Sequence, residues 1–583
     1  MWILGLNIGH NATAALLNNG KIVGCVSEER FSRMKNQYGI PTESINYVLK
    51  NSNITLSNID LIVLDDQYPV INNRDFSKQF IEDYTKKSFL KRILSKIGYN
   101  YPNLFHNYLY LKDVSYSSRK TYNSKKIAFD LSRTLNFPEE KIIVIDHHLA
   151  HALSPCFNLP KKNKTLIFTL DGEGGGLCAS VNIYDGNSLK TISQTKKEAS
   201  IGYLYALATL FLGMKPLEHE FKVMGLAPYA KKNNINEIYS KFDKLIWINN
   251  NLEFESKFSM PFADYFFERE MKFARFDNVA GAVQKLVEER TSEWILRAIE
   301  KTGISDIALS GGVFMNVKAN QKISEMPQVK SLFVMPSCGD ESSAIGSLFY
   351  GYKIFCLKNN LQFSPRPFSH LYLGPEYSED SLKELIKNKA LKKKYNIKKI
   401  SDVSGEIARL LAEGKIVARC SGKSEWGARA LGNRSILADP SNPDAVRILN
   451  ETIKDRDFWM PFTPSILDKF EKRYIINKKD IFAPYMAITF NSTNEAKKKI
   501  SAAIHPYDFT VRPQIVTKDF NPEYYSIIER FSKLTGIGAV LNTSFNLHGE
   551  PNVLTPEDAL HTVESSDLRY LFIGDYLFVK KKI

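Results

Sequence analysis

Apolar runs separated by short polar turns occupy the first thirty positions of the chain. The runs are Trp2–Ile8, Ala12–Leu17 and Lys21–Ser27, and the breaks are Gly9-His10-Asn11 and Asn18-Asn19-Gly20. Runs of this length, bounded by Gly and Asn, are typical of strands joined by tight turns. The pattern therefore predicts three successive strands with His10 in the first turn.

Two later segments combine an apolar strand with a glycine-containing loop. Thr165–Leu170 leads into Asp171–Gly176, and Ile307–Val313 contains Gly311 and Gly312. Actin-like and sugar-kinase-like ATPases hold a phosphate on a polar hairpin tip between buried strands, and in that fold class the last of these segments lies against adenosine. Three such loops in this order favour an α/β domain of the actin-like kind.

Three histidines lie within five residues, directly after the predicted strand Lys141–Ile145. His147 and His151 are four positions apart, so a helix would direct both imidazoles toward one point. Such pairs bind transition metals. The alternative is an ordinary helix start with Asp146 as its N-cap, but three histidines favour the metal. No Glu follows His147, so the general base of a zinc protease is missing.

Two aspartates at strand ends are suited to complete such a site. Asp171 follows an apolar strand, and Asp340 precedes the small-residue helix predicted from about Ala344. Either could simply form a turn or cap a helix. Beside glycine, however, the backbone can approach a ligand closely. Histidine with carboxylate suits iron, manganese or zinc better than magnesium or copper(I).

The composition describes a globular chain of several domains. Its 583 residues are 44% hydrophobic and 24% charged, which is too long a chain for one core. The net charge of +15 is spread over lysine runs and favours anionic ligands such as nucleotides and phosphates. Nucleic acid is not expected, because no recognised binding motif is present.

Six scattered cysteines without a C-x-x-C pair indicate a reducing compartment, and we predict a cytoplasmic protein. The short apolar start is read as a strand and not a signal peptide. No apolar run reaches the length that spans a membrane.

The composition changes near residue 360, where Asn359-Asn360 and Ser364-Pro365-Arg366-Pro367 indicate a linker. A periodic helix at Val403–Glu413 and a strand at Ile416–Cys420 follow. We predict domains over 1–362 and 363–583.

Within the first domain, residues 78–135 are basic, aromatic and helical in pattern. We interpret them as an amphipathic helical lid on the core. A substrate-binding insertion and a surface that touches membrane are the alternatives.

The second domain carries cations beside glycine, serine and asparagine. They are Arg429, Arg434, Lys454, Arg456 and Arg512, accompanied by Asn433, Ser435, Asn542 and Ser544. Arginine forks and lysine charges in such surroundings are suited to polyphosphates. The alternative is that Arg434 and Arg456 only pair with nearby aspartates. The combination favours a nucleotide or acyl-phosphate site.

Taken together, the motifs resemble the O-carbamoyltransferases of the nodulation, cephamycin and tobramycin type over nearly the whole chain. The motifs are Gly9-His10-Asn11, Glu28–Lys35, His147–His151, Lys222–Ala227, Gly311–Val313, Gly339-Asp340, Arg429–Pro440, Lys454–Arg456 and Asn542–Asn546.

The resemblance implies a two-lobed actin-like N-terminal domain, similar to the tRNA threonylcarbamoyl-transfer protein, and a YrdC-like α/β C-terminal domain. The second would convert carbamoyl phosphate and ATP, with Mg²⁺, to carbamoyl adenylate. The first would bind that intermediate on Fe²⁺ or another divalent transition metal and pass the carbamoyl group to a hydroxyl of a sugar, natural product or nucleoside.

The resemblance also implies roles for single residues. The metal ligands would be His147, His151, Asp171 and Asp340. His10 would be the catalytic group near the acceptor and Lys35 would contact the intermediate. Carbamoyl adenylate in the first domain would meet Gly172, Gly311, Gly312 and Asn316. ATP and carbamoyl phosphate would meet Arg429, Asn433, Arg434, Ser435, Lys454, Arg456, Arg512, Asn542 and Ser544.

Four positions depart from the family pattern. Asn11 replaces an Asp, Ala428 a Pro and Met460 an Arg, and the segment His505–Thr510 is looser than usual. These departures bear on which acceptor is used and on the rate at which the carbamoyl group is activated.

Three other activities compete with this interpretation. A threonylcarbamoyl transferase acting on tRNA lacks the C-terminal domain, and a hydrogenase-maturation carbamoyltransferase carries C-x-x-C zinc pairs. A regulatory actin-like ATPase uses magnesium without histidine. Assembly as a homodimer is left open.

Overall fold

The computed structural model describes residues 1–67, 89–105, 124–159, 163–454 and 456–581. Two compact units are present: residues 1–28 with 36–368, and residues 29–35 with 369–583. The division at 368 lies a few residues beyond the predicted boundary. The assignment of Glu29–Lys35 to the second unit was not predicted from the sequence.

The first sheet of the first unit begins with the three strands predicted near the N-terminus. Its strands are β1 (Trp2–Asn7), β2 (Thr13–Asn18), β3 (Lys21–Ser27), β4 (Leu61–Asp65) and β5 (Ile142–Ile145), in the order β3-β2-β1-β4-β5. β1 pairs antiparallel with β2 and parallel with β4. Asp65 ends β4 and His147 follows its parallel neighbour β5, so both lie at the same edge of the sheet.

The second sheet repeats this arrangement. Its strands are β6 (Thr165–Gly174), β7 (Leu177–Tyr184), β8 (Leu189–Lys196), β11 (Asp306–Ser310) and β12 (Ser331–Val334), in the order β12-β11-β6-β7-β8; β9 (Ile246–Ile248) and β10 (Phe254–Ser256) form a separate hairpin. Again a three-stranded antiparallel group continues into two parallel strands. The predicted α/β class is confirmed.

Helices surround these sheets. They are Thr42–Asn51, Phe89–Asn100, His147–Leu153, Ile201–Phe211, Glu220–Leu226, Lys232–Asp243, Asp264–Glu270, Phe276–Thr302, Val317–Glu325 and Ser343–Lys358. None of the described helices is long and apolar enough to cross a membrane.

The predicted insertion at 78–135 is helical where it is described, at Phe89–Asn100 and over 124–135. Ser95 Oγ donates to the Phe262 carbonyl at 2.8 Å and Tyr99 OH to Glu270 at 2.8 Å, so this part packs on the first unit. The remainder of the prediction lies outside the described residues.

The helix Ser343–Lys358 packs against β1, β4 and the helix His147–Leu153. Gly346 permits the closest approach, because a Cβ there would lie 1.8 Å from the carbonyl oxygen of Ala150. Through this contact, the helix Ser343–Lys358 lies beside the helix that carries His147 and His151. Asp340 comes just before the first of these helices.

We expect Gly346→Ala to destabilise the protein by about 1–3 kcal/mol, since the added methyl must push two packed helices apart. Metal affinity should fall with it, because the two helices support different ligands. Denaturant unfolding and metal titration measure both effects. Ser347→Ala, at the next position of the same helix and also fully buried, is the control and should change stability far less. Equal stability of the two variants would contradict this account of the packing.

The second unit is built on an eight-stranded mixed sheet. Its strands are β13 (Tyr395–Lys399), β14 (Val417–Cys420), β15 (Arg434–Ala438), β16 (Thr463–Leu467), β20 (Gln514–Val516), β21 (Ala539–Ser544), β22 (Tyr570–Ile573) and β23 (Tyr576–Lys580), in the order β13-β23-β22-β14-β15-β21-β16-β20. A smaller sheet contains β17 (Ile475–Ile476), β18 (Phe490–Ser492) and β19 (Thr510–Val511).

The helices of this unit are Glu29–Ser32, Glu379–Lys387, Lys389–Lys394, Val403–Ala412, Pro443–Leu449, Glu471–Tyr474, Asn494–Lys499, Pro522–Thr535 and Pro556–Glu564. The predicted helix at Val403 and the predicted strand ending at Cys420 are confirmed to within one residue at their ends.

Two arginines fix the segment Glu29–Lys35 within the second unit. Arg30 Nη2 donates to the carbonyl of Gly427 at 2.7 Å. Arg33 donates to the carbonyls of Pro551 and Asn552, both at 2.8 Å. These are charge-assisted bonds, which are stronger than bonds between neutral groups.

Candidate functional site

The helix His147–Leu153 begins as the sequence predicts. The carboxylate of Asp146 accepts a hydrogen bond from the Leu149 amide at 3.0 Å and so caps the first turn. The helix is buried on nearly all sides, and His147 and His151 have no exposed surface. A buried imidazole needs a hydrogen-bond or metal partner, so these two side chains are candidates for a binding site.

His147, His151, Asp171 and Asp340 meet at one point. Their ligand atoms all lie within 4.8 Å of one another. His151 Nε2 is 3.2 Å from Asp171 Oδ2 and 3.6 Å from Asp340 Oδ1. His147 Nε2 is 3.6 Å from Asp171 Oδ2 and 3.9 Å from Asp340 Oδ1. Two imidazoles and two carboxylates thus face a common centre.

Neighbouring side chains hold these ligands in orientation. His147 Nδ1 donates to the fully buried Asp65 at 2.7 Å, which turns Nε2 toward the centre. His151 Nδ1 lies 3.1 Å from Ser342 Oγ, and Gln67 Nε2 donates to Asp340 Oδ2 at 2.9 Å. Metal-binding histidines usually have such a partner on the second ring nitrogen.

The electrostatics of the group favour bound positive charge. Burial acts against protonation of His147, but Asp171, Asp65 and Asp340 outweigh it and hold the pKa of His147 well above its usual value. Burial likewise acts against ionisation of Asp171, yet His147 and His151 hold the pKa of Asp171 well below its usual range. A divalent cation would replace the protons at such a site.

The residues fit a divalent transition metal. His151 Nε2 and Asp171 Oδ2 are buried without a hydrogen-bond partner, as ligand atoms that face a metal would be. Two nitrogens with two carboxylate oxygens form a borderline donor set, which suits iron, manganese or zinc.

His148 is separate from this group. Its Nδ1 lies 2.8 Å from Thr169 Oγ1. Burial and the neighbouring His147 and His151 lower the pKa of His148 to about 3, so it stays neutral. His148 therefore has a structural role in the core, unlike His147 and His151, which face the two aspartates.

The glycines predicted to meet the adenylate lie around Asp171. The Gly172 amide donates to Asp171 Oδ1 at 2.7 Å, and a Cβ at Gly312 would lie 3.0 Å from that oxygen. Gly311 has a φ of 98° and packs on Leu170. Asn316 caps the helix Val317–Glu325, and its amide exchanges hydrogen bonds with Gln284. Its predicted ligand contact would require that pair to open.

In the second unit, the predicted cations divide into two sets. In the first set, the charge of Arg456 acts on Lys454 and Arg512, and the charge of Arg429 acts on Arg456 and Arg512. Burial together with Arg456 and Lys35 lowers the pKa of Lys454 well below its usual value. Burial and Arg429 lower the pKa of Arg456 to about 10.

Arg512 shows the same effect, because burial, Arg429 and Arg456 lower its pKa well below the usual value. We call Lys35, Arg429, Lys454, Arg456 and Arg512 the cation cluster. Lys454 Nζ donates to neutral oxygens of Asn546, at 2.8 and 2.9 Å, and to Ser544. Like charges held close together repel one another, so an anionic ligand would stabilise the cluster.

Lys35 belongs to the second unit, and its charge acts on Lys454. We therefore reassign it from the first domain, where the sequence placed it, to the cation cluster.

The other predicted residues of this unit have structural surroundings. Arg434 is 1% exposed and donates to the carbonyls of Leu554, Ser421, Gly422 and Pro375. Ser435 Oγ accepts from the Gly432 amide, and Asn433 bonds Arg419, Lys423 and Asn521. Asn542 donates to the carbonyl of Ala430. We therefore interpret Arg434 as a structural residue that holds these backbone segments together.

Glu425 was missed by sequence reasoning. Its Oε1 accepts the amides of Leu431, Asn433 and Arg434, at 2.9, 2.7 and 3.1 Å. The carboxylate thereby fixes the glycine-rich turn that carries Arg429.

Comparison with known proteins assigns the chain to a family. The family model of the carbamoyltransferase N-terminus matches residues 2–349, and that of the carbamoyltransferase C-terminus matches residues 408–580. The chain belongs to the carbamoyltransferase family. The resemblance drawn from the motifs is confirmed.

Relatives in this family cover the chain to different extents. An uncharacterised protein of Methanocaldococcus jannaschii is 32% identical over 97% of this chain and 96% of its own length. Nodulation protein NolNO of Sinorhizobium fredii is 28% identical over 98% of this chain and 79% of its own length. The 3'-hydroxymethylcephem-O-carbamoyltransferase of Amycolatopsis lactamdurans is 28% identical over 46% of this chain and 48% of its own length. These matches support a transferase.

Among solved structures, HypF of T. kodakarensis is 13% identical with a TM-score of 0.33, over 62% of this chain and 48% of that chain.

Three residues that support the metal group in this family member were also missed: Asp65, Gln67 and Ser342. Asp65 ends the buried strand β4 and Gln67 follows it. The strand-end position that drew attention to Asp171 was therefore available for them as well.

Proposed function

We propose that the chain is an O-carbamoyltransferase whose two units perform successive reactions. The second unit forms carbamoyl adenylate from carbamoyl phosphate and Mg²⁺-bound ATP, and the first transfers the carbamoyl group to a hydroxyl of a small-molecule acceptor. The observation that supports this most is the presence of two chemically distinct sites, a metal-ligating group in one unit and a cation cluster in the other.

The cation cluster suits the first reaction. Carbamoyl phosphate and ATP carry several negative charges, and Lys454 and Arg512 direct donors at neutral oxygens of Asn546 and Thr463. Water hydrolyses carbamoyl phosphate to carbamate and phosphate, a carbamate oxygen then attacks the α-phosphorus of ATP, and pyrophosphate leaves. The cluster would bind the charge of the leaving groups. Under this proposal the second unit is the YrdC-like domain implied by the motifs.

The metal-ligating group suits the second reaction. His147, His151, Asp171 and Asp340 would hold a divalent transition metal, with iron as the first candidate. When bound, such an ion supplies a Lewis acid for the carbonyl of the carbamoyl group. His10 would accept the proton of the acceptor hydroxyl as that oxygen attacks the carbonyl carbon, and AMP would leave. The first unit would thus act as a two-lobed domain of the actin-like kind.

The acceptor class rests on the relatives. The cephem enzyme is named for transfer to oxygen, and nodulation protein NolNO matches 98% of this chain. We therefore propose a hydroxyl of a sugar, natural product or nucleoside as the acceptor.

One assay tests the proposal on the full chain. With ATP and carbamoyl phosphate, we expect phosphate and pyrophosphate to be released in equal amounts, and labelled carbamoyl to appear on a hydroxylated acceptor from a panel of sugars, alcohols and nucleosides. ATP hydrolysis that ignores carbamoyl phosphate would favour the regulatory ATPase. Label incorporated only into tRNA would favour the threonylcarbamoyl-type transferase.

A further inference from the structure

The turn that carries His10 is fixed at its backbone by Asn7. This side chain is fully buried. Its Nδ2 donates to the carbonyls of His10 and Asn11, at 2.6 and 3.2 Å, and its Oδ1 accepts the Gly9 amide at 2.9 Å. Asn11 takes a left-handed conformation with a φ of 57°, which Asn tolerates better than most residues.

The residues on both sides of His10 are connected to the loop that holds Asp340. On one side, Asn11 Nδ2 donates to Glu341 Oε2 at 3.1 Å. On the other, Gln67 bonds Asp340 and packs on Gly9 so closely that a Cβ there would lie 1.6 Å from Gln67 Oε1. His10 is therefore held between two connections to adjacent residues.

The Asn11–Glu341 connection depends on the chemistry of the amide. Glu341 is 3% exposed and also accepts a hydrogen bond from Ser337 Oγ. An aspartate at position 11 has no N–H to donate, and its carboxylate would face a buried carboxylate at hydrogen-bond distance. The Asn at this position thus matches the acid opposite it.

We infer that Asn11 and Glu341 are positioning residues that hold His10 in place relative to Asp340. The inference rests on the proposed function, in which His10 accepts the proton of the acceptor. A displacement of about 1 Å in a reacting group can lower a rate roughly a hundredfold, so the connection matters even though neither side chain needs to touch the acceptor.

The test exchanges the amide at position 11 and the carboxylate at position 341. Asn11→Asp should lower the kcat of carbamoyl transfer by roughly tenfold to a hundredfold while pyrophosphate release and metal content stay unchanged. Asn11→Asp with Glu341→Gln should restore much of the transfer, because the Gln amide can then donate to the Asp. Asn53→Asp is the control, since Asn53 is an exposed asparagine of the same unit with a φ of 51°.

A second readout does not require transferase activity. The rate at which diethyl pyrocarbonate modifies His10, followed by peptide mass spectrometry, should rise several-fold in Asn11→Asp and return toward the wild-type rate in the double variant. The inference would be overturned if His10 in Asn11→Asp is modified at the wild-type rate. It would also be overturned if the modification rate in a folded double variant does not return toward the wild-type rate. If the wild-type protein transfers no carbamoyl group but these modification rates change as expected, the proposed function fails and the positioning pair stands.

Discussion

Replacing His151 with alanine is expected to release the divalent metal and stop carbamoyl transfer, while pyrophosphate release with carbamoyl phosphate and ATP continues. The imidazole lies 3.2 Å from Asp171 and 3.6 Å from Asp340, and its Nε2 has no other partner. Loss of residues that merely support a metal ligand costs 10- to 100-fold in affinity, so loss of a ligand should cost more than about 100-fold. The metal ligands and the cation cluster belong to different units, which is why adenylate formation should survive.

Metal content by mass spectrometry of the purified protein and a pyrophosphate assay measure the two effects. His148→Gln is the matched control, because His148 lies in the same helix and bonds Thr169 instead of the group. It should keep the metal. A folded His151→Ala protein that retains stoichiometric metal would refute the ligand assignment, and one that no longer releases pyrophosphate would refute the division between the units.

Arg512→Gln is expected to lower the rate of pyrophosphate release by roughly tenfold to a hundredfold, since one charge-assisted contact to an anion contributes about 1.5–3 kcal/mol. The same change should raise the thermal midpoint of the protein without ligands. Arg512 is held near Arg429 and Arg456, and their repulsion together with burial lowers its pKa. Glutamine removes that repulsion and can still donate to Thr463, which Arg512 contacts at 2.9 Å.

Thermal unfolding with and without pyrophosphate separates the two effects, because an anion that binds the folded state stabilises it. The rise in the thermal midpoint that pyrophosphate produces should be much smaller in Arg512→Gln than in the wild-type protein. Arg447→Ala is the control, since this exposed arginine pairs with Glu451. A variant that releases pyrophosphate at the wild-type rate would remove Arg512 from the proposed site.

The local elements of this fold could be predicted from the chain because their causes are local. The turns at Gly9 and Gly20 separate buried runs, and Asp146 caps the helix that follows it. The duplicated strand order could not be predicted in this way. It depends on pairings such as β6 with β11, whose strands are separated by more than a hundred residues and whose register no local pattern specifies.

The proposed metal group could be predicted from the sequence because His147 and His151 are four positions apart in one short helix, and Asp171 and Asp340 each follow or precede a recognisable apolar segment. The cations were harder to assign. A count of arginines does not distinguish Arg512, whose charge is opposed by its neighbours, from Arg434, whose donors are used by carbonyl oxygens. Neighbouring charges and hydrogen-bond partners decide between those roles, and both are properties of the folded chain.

The segment Glu29–Lys35 has a consequence for the order of synthesis. Arg33 leaves the ribosome early, but the carbonyls that it bonds belong to Pro551 and Asn552. At translation rates of about 5–20 residues per second, roughly half a minute to two minutes separate the two. During that interval a polar segment with two arginines must remain unburied while the chain around it can already fold. The same geometry means that a gene split near codon 368 would leave the downstream product without its own seven-residue piece. Both parts of the second unit are therefore supplied by a single continuous chain.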